Sequence, residues 1–138
     1  MSVYTDLFTY LDAQWSDRTK IVLPNTQSAQ FSGSYTDSES VLEAVVLKVG
    51  AQTRGIPVDS STLRQEFYIL QCNIIGVKDE HFGTVYDHAA QLDSLFQNKT
   101  VSQGDYTFYF EEASLGGVIP DESAFVVPWS CPFFIFVD

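Results

Sequence analysis

The chain has 138 residues, a length that suits a single domain over 1–138 with its own core. Hydrophobic residues at 45% and charged residues at 18% exclude a disordered chain, and 14% aromatics favour strands and buried contact surface. Seven Lys and Arg against 18 Asp and Glu give a net charge of -11, which argues against a nucleic-acid grip and against docking on an anionic membrane.

Residues 3–15 read as a helix, with Val3, Leu7, Phe8, Leu11 and Trp15 at helical spacing and Asp6, Asp12 and Gln14 on the other side. Ser2 or Thr5 is placed to cap it. The start has no basic segment and no unbroken apolar core, so it is not a secretory signal. Ile21 to Leu23 is a brief extended piece before Pro24, and residues 25–40 are a polar, turn-rich loop. Residues 41–50 fit a strand. Residues 50–62 carry Gly, Pro and Ser and read as a long hairpin loop. Leu63 to Gly76 is a second long strand, apolar on both faces and hence interior.

A second helix is predicted over 80–96, its stripe made by Phe82, Val85, Tyr86, Ala89, Leu92 and Phe96 and widened by Leu95. Residues 98–104 are a turn with a short extended piece. Tyr106 to Glu112 alternates as a third strand, and 113–123 is a loop. From Phe125 to Val137, Phe125, Val127, Trp129, Cys131, Phe133, Ile135 and Val137 share one strand face. Pro128 and Pro132 share the other. Proline donates no ladder hydrogen bond, so a free edge or a bulge is expected near each. The order predicts an α+β fold: a mainly antiparallel sheet of about four principal strands with two helices packed on one face. The other face carries Tyr109, Phe134 and Phe136, which need a loop or a neighbouring subunit to cover them.

Chemistry has little support. The two histidines, His81 and His88, lie two helical turns apart with no nucleophile elbow beside them, and read as exposed helix residues. Cys72 and Cys131 sit mid-strand with no CxxC pair and read as buried free thiols of a reducing cytosol. The acidic pairs Asp79-Glu80, Glu111-Glu112 and Asp121-Glu122 would point their members to opposite faces of a strand. Asp37-Ser38-Glu39 is too sparse for a calcium loop, and Gly116-Gly117 lacks the lysine of a phosphate loop. The reading is therefore not an enzyme, with no cofactor and no metal. No stretch approaches the roughly 20 apolar residues of a membrane span.

Several stretches, spread over nearly the whole chain, carry a resemblance. They are the first helix with Val22-Leu23-Pro24-Asn25, Arg64-Gln65-Glu66-Phe67-Tyr68-Ile69, Ala90-Gln91-Leu92-Asp93-Ser94-Leu95-Phe96, Thr100-Val101 with Gly104, and Phe125-Val126-Val127-Pro128-Trp129-Ser130-Cys131-Pro132-Phe133. Together they resemble the tail terminator proteins of long-tailed bacteriophages, of the lambda minor tail protein U type. The resemblance implies a structural virion protein of the tail or neck, assembled in the host cytoplasm. It would form a homo-oligomeric, hexameric ring that caps the head-proximal end of the tail tube, stops its polymerisation and docks the tail to the head. Its implied partners are the major tail tube protein and a head-completion or stopper protein, and genome DNA would pass through the lumen without specific binding. The alternatives are another neck or head-completion adaptor, or a small ligand-binding α+β domain.

Closing a ring requires two different patches on each subunit. The expected contacts are the hairpin residues Arg54, Gly55, Ile56 and Pro57 and the open edge near Pro128 and Pro132. Arg54 or Arg64 is expected to pair across the boundary with an acid such as Glu66 or Glu111.

Overall fold

The computed structural model describes residues 2–15, 19–23, 41–55, 62–77, 82–120 and 124–137. Helix α1 spans Val3–Trp15. Ser2 is its cap: the Ser2 hydroxyl accepts the Thr5 N–H at 3.1 Å and the Ser2 carbonyl accepts the Asp6 N–H at 3.1 Å. Val3, Leu7, Leu11 and Trp15 are buried along one stripe. Helix α2, Phe82–Phe96, buries Val85, Ala89, Leu92 and Phe96 at the same spacing. Asn98 adopts a left-handed φ of 55° just past its end, a conformation that asparagine tolerates better than most residues.

The strands are β1 (Lys20–Val22), β2 (Val41–Gly55), β3 (Thr62–Val77), β4 (Thr100–Gln103), β5 (Tyr106–Phe110), β6 (Ser114–Leu115), β7 (Ile119–Pro120) and β8 (Ala124–Val137). They form one sheet in the order β1-β2-β3-β8-β5-β4, with β6 and β7 also paired to β8. β1 runs parallel to β2; the other pairings are antiparallel. The central ladder, β3 on β8, runs unbroken from Arg64↔Val137 to Val77↔Ala124.

This corrects the expected fold. In place of a mainly antiparallel sheet of about four principal strands, two helices accompany eight strands among the described residues, in a mixed, strongly curled half-barrel. The extra strands have physical causes. β6 and β7 are two residues each, too short to show a period, and exist because β8 offers backbone groups on its second side. β1 is three residues and gains its place by parallel pairing to β2 from Lys20↔Val41 to Val22↔Glu43. The long hairpin is also longer in strand than expected, since β2 continues to Gly55 and β3 begins at Thr62.

One core fills the space between helices and sheet. The side chains of Leu42, Ala44 and Val46 from β2, Tyr68, Leu70, Cys72 and Ile74 from β3, and Val127, Trp129, Cys131, Phe133 and Ile135 from β8 share it with both helix stripes. The Phe96 ring lies 4.9 Å from that of Phe110 and 5.9 Å from that of Trp129, and the Trp129 indole N–H donates to the Asp93 carboxylate at 2.8 Å. Each fully buried Leu, Ile, Val or Phe contributes about 1.5–3 kcal/mol, so packing rather than helix propensity holds α1 and α2 down.

Two helix residues depart from expectation. Asp6 is buried, because its carboxylate accepts the Asp105 N–H at 3.0 Å in the turn joining β4 to β5. His88 is buried rather than exposed, its ring centroid 5.8 Å from that of Trp15. Tyr86, expected in the stripe, is 43% exposed.

Candidate functional site

Arg64 and Glu66 meet within one chain. Arg64 Nε donates to Glu66 Oε2 at 3.2 Å, Lys48 Nζ to the same oxygen at 3.1 Å, and the Tyr68 hydroxyl to Glu66 Oε1 at 2.8 Å. Partial burial alone would raise the Glu66 pKa; the hydrogen bonds from Tyr68, Lys48 and Arg64 outweigh it and hold the carboxyl below its ordinary value. Burial and the Glu66 carboxylate push the Tyr68 phenol well above its ordinary value. The cluster is an internally satisfied knot where β2 and β3 run together, so neither charge needs a partner from another subunit.

The remaining expected contacts separate. Arg54 pairs with Leu63 and Gly55 with Thr62 at the far end of the β2–β3 ladder, while Ile56 and Pro57 lie outside the described residues. Glu111 and Pro132 are joined through the backbone, Glu111 N–H donating to the Pro132 carbonyl at 2.9 Å; the Gly116 N–H donates likewise to the Pro128 carbonyl at 2.7 Å.

β8 is not an edge. It has β3 on one side and β5, β6 and β7 in succession on the other. Backbone N–H and C=O of alternate strand residues point to the same side. The carbonyls of Pro128 and Pro132 face away from β3, so their missing N–H groups cost the β3 ladder nothing. The prolines fall where the second side changes partner, which is why three short segments stand there instead of one strand.

The same alternation locates the true free edges. Even-numbered β8 residues face away from β3, so β3 turns Phe67, Ile69 and Gln71 toward β2. Their partners Gly50, Leu47 and Val45 bond back to β3, which leaves the backbone groups of Val46, Lys48 and Ala51 facing outward. β1 covers β2 only to Glu43, and among the described residues no strand lies beyond Val46, Lys48 and Ala51. Val49 is the extra residue of a bulge between Lys48 and Gly50 and is 64% exposed. At the opposite end of the sheet, the Phe110 N–H donates to the Lys99 carbonyl at 2.9 Å. Val101 and Gln103 therefore face β5, and Thr100 and Ser102 face outward.

The sheet face turned away from the helices carries an aromatic cluster. Tyr109 and Phe134 stack with centroids 5.1 Å apart; Phe136 lies 5.6 Å from Phe134 and 5.8 Å from Tyr109, and Phe67 lies 6.3 Å from Phe134. Leu47 is 48% exposed and Phe136 40%. Beside them stand Ile69 and Pro132, in register with Leu47 and with each other. Glu43, bonded by Asn73 at 2.8 Å, lies on that face, and Glu111 follows Tyr109 by two residues, its N–H donated to the Pro132 carbonyl at 2.9 Å. The sequence pointed to Tyr109, Phe134 and Phe136. Leu47 and Phe67 were missed because their place beside the cluster is set by register, Leu47 with Ile69 of β3 and Phe67 with Phe134 of β8, which a single strand's pattern does not contain.

Among the described residues no group of three His, Cys, Asp or Glu could hold a metal ion, and no helix is long and apolar enough to cross a membrane. Cys72 and Cys131 are free and buried. An open groove of about 440 Å³ runs along α1 beside Tyr4, Phe8, Asp12, Ile21 and Leu23, with no convergent set of titratable groups.

No protein-family model matches the chain, and the search of curated proteins finds no match. Among solved structures, one whose name states no activity is similar over 93% of this chain and 94% of its own, with a TM-score of 0.60 and 18% identity. At that identity the likeness shows a shared fold.

Proposed function

We propose that this chain is a structural assembly protein of the tail-terminator kind, which rings the head-proximal end of a phage tail tube, ends its growth and presents a surface to the head. The observation that supports this best is the charge-poor aromatic face around Phe136, Phe134, Tyr109 and Leu47 on a chain of net charge -11. A contiguous exposed apolar patch on a soluble chain marks a protein-contact surface. Acids placed elsewhere keep like-charged copies and passing DNA from sticking indiscriminately. Function then lies in surfaces that bind other subunits.

The test is electron microscopy of the purified protein mixed with tail tubes. Density capping one end of each tube is expected, and Leu47→Glu with Phe136→Glu should abolish it while the chain stays folded. A protein that remains monomeric and leaves tube ends bare at high concentration refutes the proposal.

A further inference from the structure

Among the described residues two sheet edges are unpaired; they differ in sequence and lie at opposite ends of one sheet. β2 offers the outward N–H and C=O groups of Val46, Lys48 and Ala51; β4 offers those of Thr100 and Ser102. Unpaired edges of this kind are templates for another strand. Following the pairings from β2 through β3, β8 and β5, each antiparallel to the last, β4 runs in the same direction as β2. A second copy carried round an axis so that its β4 meets this β2 would therefore pair in parallel. That contact is head-to-tail: each copy uses a different edge on each side, as a closed ring demands.

We infer that the chain self-assembles by parallel addition of the β4 edge of one copy, Thr100–Gln103, to the β2 edge of the next, around Val46 to Ala51. The occupant is a second copy because the edges complement each other in direction. The strands around them also lack the repulsion that the rest of so acidic a surface imposes: β4 has no charged residue, and on the β2 side the neighbouring Glu66 is balanced by Lys48 at 3.1 Å. The Val49 bulge twists this edge away from a flat geometry, which disfavours pairing with an arbitrary strand. The inference rests on the proposed ring and specifies its seam.

Two measurements test it. In the first, chains with Ser102→Cys are mixed with chains carrying Leu47→Cys, the β2 residue that lies between the outward-facing Val46 and Lys48 and on the same sheet face as Ser102; the native thiols are buried and do not compete. Mild oxidation should give a disulfide-linked dimer only in mixtures, and Tyr86→Cys on α2 should give none with Ser102→Cys. In the second, Ser102→Pro removes one outward N–H without touching the groups that bond β5. It should weaken self-association by about tenfold or more, the loss of at least one charge-free hydrogen bond with its fit, while the circular dichroism stays native.

An oligomer that survives Ser102→Pro unchanged and gives no cross-link overturns the seam and leaves the ring standing. A Ser102→Pro protein that still forms rings but no longer caps tubes assigns the edge to the tube protein and also overturns it. A wild-type chain that is monomeric at every concentration, with and without tubes, removes the ring and the seam together.

Discussion

Gly104 shows how one residue fastens a helix to the sheet. It takes a φ of +63° as the first of two residues turning β4 into β5, a conformation that glycine adopts without strain. A Cβ there would also run into the Asp6 carboxylate, the group that accepts the next residue's N–H. Alanine at 104 therefore carries both backbone strain and a clash with a buried carboxylate. Gly104→Ala should cost about 2–4 kcal/mol, the sum of a left-handed alanine and a displaced buried hydrogen bond. Gly117→Ala, where nothing lies within 4 Å of the added carbon, should cost less than about 1 kcal/mol. Urea denaturation of the two variants checks this, and equal midpoints would contradict it. The sequence placed Asp6 on the polar side of its helix; only a turn about a hundred positions away makes it a buried acceptor. His88, by contrast, sits three residues after Val85 and four before Leu92, so its burial was already present in the helical spacing.

For whole elements, what could be read depended on length. Helix α1 and the long strands β3 and β8 follow from periodicity over 13 or more residues. β6 and β7 do not, because two residues carry no period and their existence depends on what β8 leaves unpaired. The prolines of β8 give a direct check on that reasoning. Their missing N–H groups point to the interrupted side, so Pro128→Ala should change stability by less than about 1 kcal/mol. Val127→Pro takes an N–H out of the unbroken β3 ladder and should cost about 3 kcal/mol or more. Thermal melts of the pair decide it. Equal losses would mean that the prolines do not sort by side, and the assignment of free edges built on the same alternation would fall with them. Sequence reading took proline as the mark of an edge, and the structure shows that an interior strand accommodates it when its second neighbour is discontinuous.

For the molecule as a whole, helices and sheet share one core, so there is no smaller unit whose loss would expose the thiols of Cys72 and Cys131 on the two central strands. Burial, with a smaller contribution from the neighbouring Cys131, pushes the Cys72 thiol far above its ordinary value. Burial likewise pushes Cys131 up to about 12. Unfolding returns both to near 9.0, where they ionise readily. Because the folded values lie above the unfolded ones, the stability that the neutral thiols confer is complete below pH 9 and declines as pH rises toward 12. From half-ionised to almost fully ionised in the unfolded chain, each thiol costs about 1 kcal/mol between pH 9 and 10, a loss of about 2 kcal/mol for the two. The unfolding free energy from urea titrations followed by tryptophan fluorescence should fall by that amount, with far-ultraviolet dichroism changing in step, since Trp15 reports α1 and Trp129 reports β8 within the same core. The double variant Cys72→Ala, Cys131→Ala should start less stable, by about 1 kcal/mol per thiol removed, and show a shallower alkaline decline. An alkaline slope that is the same in both proteins would mean that the thiols are not sealed by the common core, and separated transitions of the two probes would mean that α1 is not part of it.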